Sequence, residues 1–365
     1  MNITIIGRHP ELEYGFNGTM SLNWIQGFFK NGCKVELLLP QSSVHHPCKL
    51  LNDRGYKDYD QLPRYGGDFD IRMIKSADEI HSNCDVVIWQ TYRAEENYLL
   101  NDLRRKNFLV TKNHPRVFTG NKDLDQLKSK KLLHNFDLIA LSLLVDEKIS
   151  KEINIPHEKF SYVPRGFDTN LLTGLTRSEC ITIGLDRPVK AGFNEHKAIE
   201  HIIKIANNLK TFKKIDYLSM RQRVVELDST KIPNLKFNEF YDQFINKLWI
   251  YLPIDFKYSI HNKGFYLSND NSPLYLGLYE NQIIETQIAG GLVVARSGDI
   301  PSELLMLPNE SFVNSYEDHE IMTKVIIDHL ENFESRSNIT KLMATQRHDR
   351  NNSALIYLEA IKKLI

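Results

Sequence analysis

From Glu280 to Ala295 the chain reads Glu-Asn-Gln-Ile-Ile-Glu-Thr-Gln-Ile-Ala-Gly-Gly-Leu-Val-Val-Ala, a short helical pattern that stops at paired glycines and passes directly into an apolar, β-branched run. A helix delivered without a linker onto a buried strand is the second half of a βαβ unit, and it commits the chain to a parallel sheet with helices on its faces. The same alternation fills the rest of the sequence. Strands are expected over Ile3–Gly7, Lys34–Leu39, Asp85–Gln90, Phe108–Thr111 and Leu138–Ser142, with helices near Thr19–Asn31, Glu95–Arg105 and Asp125–His134. Asn31-Gly32 supplies a left-handed stop to the first helix. After a polar stretch up to Glu179 a second set begins: strands Ile181–Gly184, Ile215–Ser219, Trp249–Pro253 and Leu292–Arg296, helices Glu195–Leu209 and Tyr241–Asn246, then a helical tail.

A chain of 365 residues fits two domains. The expected division is residues 1–165 and 175–349, both Rossmann-like, hinged near 165–178, with the last helix, about 350–365, packing back on the first domain. Lys plus Arg and Asp plus Glu both total 46, so the whole chain carries no field that would gather nucleic acid or membrane. The start reads as a strand and not as a signal peptide, and no apolar run approaches the roughly 20 residues that span a bilayer. The four scattered cysteines fit a reducing compartment, so a cytoplasmic protein is expected.

Several loops carry residues suited to chemistry. Two carboxylates, Glu280 and Glu285, open the helical pattern described above; a carboxylate on the first turns of a helix suits a ribose, while the helix N-terminus favours a diphosphate. Gly184-Leu185-Asp186-Arg187-Pro188-Val189-Lys190-Ala191-Gly192 leaves a strand and brings two cations, Arg187 and Lys190, over the crevice, where they would stabilise charge left on a departing phosphate. The loop after the first strand holds Gly15 and Gly18 ahead of a helix opened by Thr19 or Ser21, and glycine lets backbone approach a phosphate or sugar. Lys112, His114 and Arg116 follow the strand Phe108–Thr111; the imidazole suits a sugar hydroxyl, and the stretch Leu99–Lys131 holds nine cations against three acids, a local excess of six. Asp68-Phe69-Asp70 and Asp123-Leu124-Asp125 resemble metal-binding pairs but lack further ligands at strand ends, so no metal is expected. The turn-rich segment Lys257–Pro273 lies just before the two glutamates and reads as a functional loop.

Taken together, Val163-Pro164-Arg165-Gly166-Phe167-Asp168, the Gly184 to Gly192 turn, and Glu285 followed by Gly290-Gly291 resemble the retaining glycosyltransferases of the GT-B fold. That resemblance implies an α/β protein of two facing Rossmann-like domains with parallel sheets and an interdomain cleft. It implies a UDP-sugar donor held mainly by the C-terminal domain, an N-terminal domain for the acceptor, and no obligatory cofactor. The five-residue spacing of Glu280 and Glu285, with Trp24–Gly32, Lys263-Gly264-Phe265 and Tyr275-Leu276, is most similar to the α-glucosyltransferases of T-even phages, which modify hydroxymethylcytosine in DNA. By that likeness Lys190 holds the diphosphate, Glu285 the ribose hydroxyls, Glu280 approaches the donor sugar beside Asn281, and His114 stands at the catalytic centre. Leu185 occupies the place of the family's arginine, leaving Arg187 as a substitute, and Pro115 stands where the phage enzymes have an acid.

The expected function is transfer of a hexose or pentose from a UDP-sugar to hydroxymethylated cytosine in phage DNA, in the host cytoplasm. A cell-surface glycan or lipid-linked sugar is the alternative acceptor. A non-catalytic protein that binds nucleotide sugar or DNA is the alternative from a different class.

Overall fold

The computed structural model describes residues 1–12, 16–41, 47–80, 83–90, 99, 108–112, 134–142, 147, 150–151, 154–175, 177–185, 195–212, 214–220, 227–232, 237–253, 280–296, 302–313 and 318–365. The chain forms two compact units, Met1–Phe167 with His348–Ile365, and Asp168–Arg347.

The first unit is built on a parallel seven-stranded sheet: β1 (Asn2–Ile6), β2 (Lys34–Pro40), β3 (Asp70–Ile74), β4 (Val86–Trp89), β5 (Phe108–Lys112), β6 (Leu138–Leu141) and β7 (Phe160–Tyr162). Their order is β3-β2-β1-β4-β5-β6-β7. In the central strands neighbouring residues are buried whichever way they point, as in Ile5-Ile6, Leu37-Leu38-Leu39 and Val86-Val87-Ile88-Trp89, as expected of a parallel sheet covered on both faces. Lys112 is the last residue of β5 and not part of the following loop.

Helix α1 (Phe16–Lys30) starts three residues earlier than the sequence pattern suggests, which corrects the reading of Gly18 as a loop glycine: it lies in the first helical turn. The reason lies in Ser21, which is not a cap. Its Oγ is buried and accepts the Arg8 N–H at 3.0 Å. A Cβ on Gly7 would stand 2.5 Å from that oxygen, so the glycine permits the close approach.

The C-terminal helix, α7 (Arg350–Lys362), belongs to the first unit and packs along α1. Its N-cap Asp349 accepts from the Asn351 and Asn352 N–H groups. Tyr357 meets Trp24 edge-on at 5.2 Å and Phe28 at 5.6 Å. Close contact is possible because position 27 is glycine: a Cβ there would lie 2.6 Å from the Arg350 carbonyl oxygen. The outgoing chain, Val163 to Phe167, runs beside the returning one. Phe167 donates its N–H to the His348 carbonyl at 2.8 Å and accepts the Arg350 N–H at 3.0 Å, and His348 Nδ1 donates to the Arg165 carbonyl at 3.0 Å.

The second unit has a parallel sheet of β8 (Ile181–Leu185), β9 (Ile215–Met220), β10 (Thr230–Ile232), β11 (Ile250–Leu252) and β12 (Leu292–Val293), in the order β10-β9-β8-β11-β12. Helices α2 (Glu195–Leu209) and α5 (His319–Glu331) close its core, where Ile205, Leu209, Met322 and Ile326 meet Ile183, Ile250 and Leu252. Two expectations are corrected. The single strand Leu292–Arg296 is broken at Val294, and Ala295–Arg296 becomes β13, paired with β14 (Phe312–Val313) in a separate two-stranded sheet. The helix placed at Tyr241–Asn246 is α3 (Phe237–Gln243), followed by a 3-10 turn at Ile245–Lys247. Helix α4 (Glu280–Ile288) precedes β12, and α6 (Phe333–His348) leads back to the first unit. The helices expected over Glu95–Arg105 and Asp125–His134 lie almost wholly outside the described residues.

Gly27→Ala tests the α1–α7 packing. The added methyl group meets backbone that cannot rotate away, so the variant should lose about 1–3 kcal/mol in a urea titration. An unchanged midpoint would contradict the packing described here.

Candidate functional site

Strand order places a switch point in the second unit. From β8 the chain moves on to β9, on one side; from β11 it moves on to β12, on the other. In open parallel sheets the crevice outside the carboxyl ends of two such strands is where ligands bind. The segments leaving it, 186–194 after Leu185 and 254–279 after Leu252, lie outside the described residues. Arg187, Lys190 and the Lys257–Pro273 loop are therefore not placed. The same holds for His114, Arg116 and the Asp123–Asp125 pair.

What is described is the helix that follows, α4, with the frame that holds it. Its end is fixed by glycine. Gly290 has φ +78°, a conformation open to glycine at little cost, and it forms the left-handed stop. The Gly291 N–H donates to the Thr286 carbonyl at 2.8 Å. A Cβ on Gly291 would lie 2.6 Å from Thr286 Cγ2 and 3.0 Å from the Leu248 carbonyl oxygen. The half-buried Arg177 ties these pieces together. Its Nε donates to Leu248 O at 2.7 Å, Nη2 donates to Ala289 O, and the guanidinium lies over the Phe333 ring. Burial lowers its pKa to about 10, so it remains charged at neutral pH. Gln287 bonds to the Ile283 and Leu304 carbonyls through Nε2 and accepts from the Met306 N–H at 2.8 Å.

On this fixed helix Glu285 is 4% exposed and Asn281 7%. A carboxylate taken out of water costs several kcal/mol unless it is hydrogen-bonded. Tyr241, from α3, supplies such a bond, donating its hydroxyl to Glu285 Oε1 at 3.0 Å. Burial raises the Tyr241 pKa well above the ordinary phenol value, reinforced by the Glu285 charge, the hydrogen bond itself and the nearby Asp168 charge. The hydroxyl therefore stays a donor at any working pH. Glu280 is the first residue of α4.

In the first unit the matching switch point lies between β1 and β4. Just beyond β1 stands His9, a residue the sequence reading passed over. Its Nε2 donates to the Pro63 carbonyl at 3.0 Å, and Nδ1 accepts the Glu11 N–H at 3.2 Å, which fixes one neutral tautomer. Burial lowers its pKa to about 4. Tyr241 and Arg177 were also passed over, because a tyrosine among Phe237, Phe240 and Phe244 reads as core and a lone arginine in a polar stretch reads as surface. Asp70 opens strand β3. Among the described residues no group of three His, Cys, Asp or Glu side chains could hold a metal ion, and no helix is long and apolar enough to cross a membrane.

Comparison with known proteins places the fold. No family model and no curated protein matches the sequence. Solved structures do match along the whole chain. A glycosyltransferase from Rickettsia africae superposes with a TM-score of 0.61 at 11% identity, covering 100% of this chain and 98% of the other. Sucrose-phosphate synthase from Thermosynechococcus elongatus gives a TM-score of 0.63 at 13% identity, covering 100% and 98%. HepE from Anabaena, in complex with UDP-glucose, gives 0.60 at 12% identity, covering 100% and 99%. The chain has the GT-B fold, an α/β architecture of parallel sheets that it shares with these proteins.

Buried neutral histidines make the fold acid-sensitive. His329 resembles His9: its Nδ1 accepts from Arg336 at 3.1 Å, and burial lowers its pKa to about 4. Both folded values lie below the ordinary 6.5, so the unfolded chain binds more protons between pH 6.5 and about 4. Stability is then full above pH 6.5 and falls as the pH drops through that window, by up to roughly 3 kcal/mol for each histidine. Denaturant titrations at pH 7, 5.5 and 4.5 should show this loss, and a His9→Gln/His329→Gln double variant should flatten it.

Proposed function

We propose that this chain is a retaining, UDP-sugar-dependent glycosyltransferase whose second unit binds the donor. The observation that carries the reading is Glu285: a buried carboxylate on α4, the helix that stands between β11 and β12 in the chain. Two further lines support it. The fold is shared with a glycosyltransferase from Rickettsia africae and with HepE, whose structures contain UDP or UDP-glucose. The sequence motifs also resemble those of the retaining family. In this reading the carboxylate of Glu285 accepts hydrogen bonds from the ribose diol, and Asn281 and Glu280 line the donor. Lys190 neutralises the diphosphate, assisted by Arg187, and Gly18 in the first turn of α1 adds a close backbone approach.

The reaction breaks the bond between the sugar's anomeric carbon and the diphosphate oxygen, and forms a bond from the acceptor oxygen on the same face. With Pro115 where the phage enzymes carry an acid, the donor phosphate itself takes the acceptor hydroxyl's proton, and His114 stabilises the reacting sugar. Lys190 acts where negative charge develops on the leaving group, so Lys190→Ala should lower turnover by roughly 100-fold. Glu285→Ala should instead raise the donor KM with little change in kcat, because the ribose contact is alike in ground and transition states. Unchanged transfer in Lys190→Ala would remove Lys190 from the reaction, whereas UDP binding with no transfer or donor hydrolysis by the wild-type chain would favour a protein that binds nucleotide sugar without catalysis.

For the acceptor we propose hydroxymethylated cytosine in DNA, supported by the phage resemblance and by the local excess of six positive charges in Leu99–Lys131, where Lys112 and Arg116 are candidate anion contacts. Such a base must leave the helical stack to reach the donor, and activity should fall as salt rises. The zero net charge favours a second reading, a glycan or lipid-linked sugar. Incubation with radiolabelled UDP-sugars and both acceptors separates the two. Label in hydroxymethylcytosine DNA alone is expected; label in glycan alone would overturn the DNA assignment and leave the enzyme class standing.

A further inference from the structure

Tyr241 lies on a helix remote in sequence from every motif that suggested the donor site, yet its hydroxyl reaches Glu285. Helix α3 precedes β11 and α4 follows it, so the hydrogen bond joins the elements on either side of that strand. We infer that Tyr241 is a positioning residue for the donor: it donates to Glu285 Oε1 at 3.0 Å and so fixes which lone pairs of the carboxylate remain for a vicinal ribose diol. The inference rests on the donor-site reading of Glu285 and adds a residue and a selectivity to it.

The argument follows from the inventory of the two groups. An ionised carboxylate is acceptor-only, with about four lone-pair directions on two oxygens. Left to rotate about its last torsion, it would present these in many orientations, since that torsion is broad. Tyr241, fixed by its own packing, narrows that freedom. Tyr241 is 3% exposed and its ring lies 6.1 Å from that of Phe240, and a phenol has no long flexible stem. Its bond to a charged acceptor is among the stronger neutral-to-ion contacts. Burial, with the Glu285 charge, holds the proton on the Tyr241 oxygen, so the hydroxyl is available to donate to the carboxylate. Asp168, the first residue of the second unit, adds negative charge near the phenol and further disfavours its ionisation. The carboxylate is thus aimed before ligand arrives, and the site should prefer nucleotides carrying both ribose hydroxyls.

The test compares two probes by calorimetry, UDP and 2′,3′-dideoxyuridine diphosphate. The wild-type chain should bind UDP at least about 30-fold more tightly. Tyr241→Phe should reduce that ratio about tenfold by weakening UDP alone, with dideoxy-UDP affinity unchanged. Substitution of Tyr241 by 3-fluorotyrosine, which keeps the hydroxyl, should retain the wild-type ratio. A wild-type ratio near one would contradict the ribose reading of Glu285 itself. A large wild-type ratio that persists in Tyr241→Phe would overturn the positioning role alone. Equal weakening of both probes, or loss of the cooperative unfolding transition in Tyr241→Phe, would also overturn it, because the hydroxyl would then be supporting the fold.

Discussion

Burial of both faces of a parallel sheet governs where chemistry can occur in this protein. A parallel strand must be followed by a crossover, and the crossover's helix covers the sheet. With Ile183, Ile250 and Leu252 enclosed by helices, polar groups have little place on the sheet faces and collect at the strand ends. In an open parallel sheet the switch between β8 and β11 is where a ligand is expected, and the helix that leads into β12 needs rigid support. Gly290, Gly291 and Arg177 supply it for α4 from the carboxyl end, and Tyr241 from the side. The carboxylate of Glu285 is held by this frame, in surroundings where an unsupported charge would be costly.

The chain leaves the first unit once and returns once, and it treats the two passages as a pair. Phe167 exchanges main-chain hydrogen bonds with His348 and Arg350, and Gly166 has no Cβ to collide with Arg350, whose Cα would lie 2.7 Å away from one. The motif Val163 to Asp168 thus has a structural reason independent of any ligand. Its small and apolar residues let two crossing strands of backbone lie side by side, while Asp349 caps the helix that completes the first unit. Residues here are suited to stability.

The legibility of the sequence followed burial. Strands β4, β6 and β11 were readable as continuous apolar runs and β1, β2, β5, β8 and β9 as mostly apolar ones, and helix α2 was placed with its observed bounds. The missed strands lie at sheet edges or outside the main sheets. Edge strand β3 alternates polar and apolar residues, and edge strands β7 and β10 have three residues each. Half-buried edges carry a weaker signal than buried centres. The break at Val294 was invisible because Leu292 to Ala295 is uniformly apolar, and hydrophobicity does not record a change of hydrogen-bonding partner. For the site, Glu285 was legible from its place before the paired glycines. Tyr241 and Arg177 were not, since each acts through contacts with residues dozens of positions away.

The central claim, that the second unit holds an activated sugar by its nucleotide, is tested most directly by a crystal structure of the chain with UDP. The account predicts the diphosphate at the carboxyl ends of β8 and β11, near Lys190, and the ribose hydroxyls against the Glu285 carboxylate. Nucleotide bound elsewhere, with the Glu285 carboxylate still enclosed by Tyr241 and touching no ligand, would contradict it.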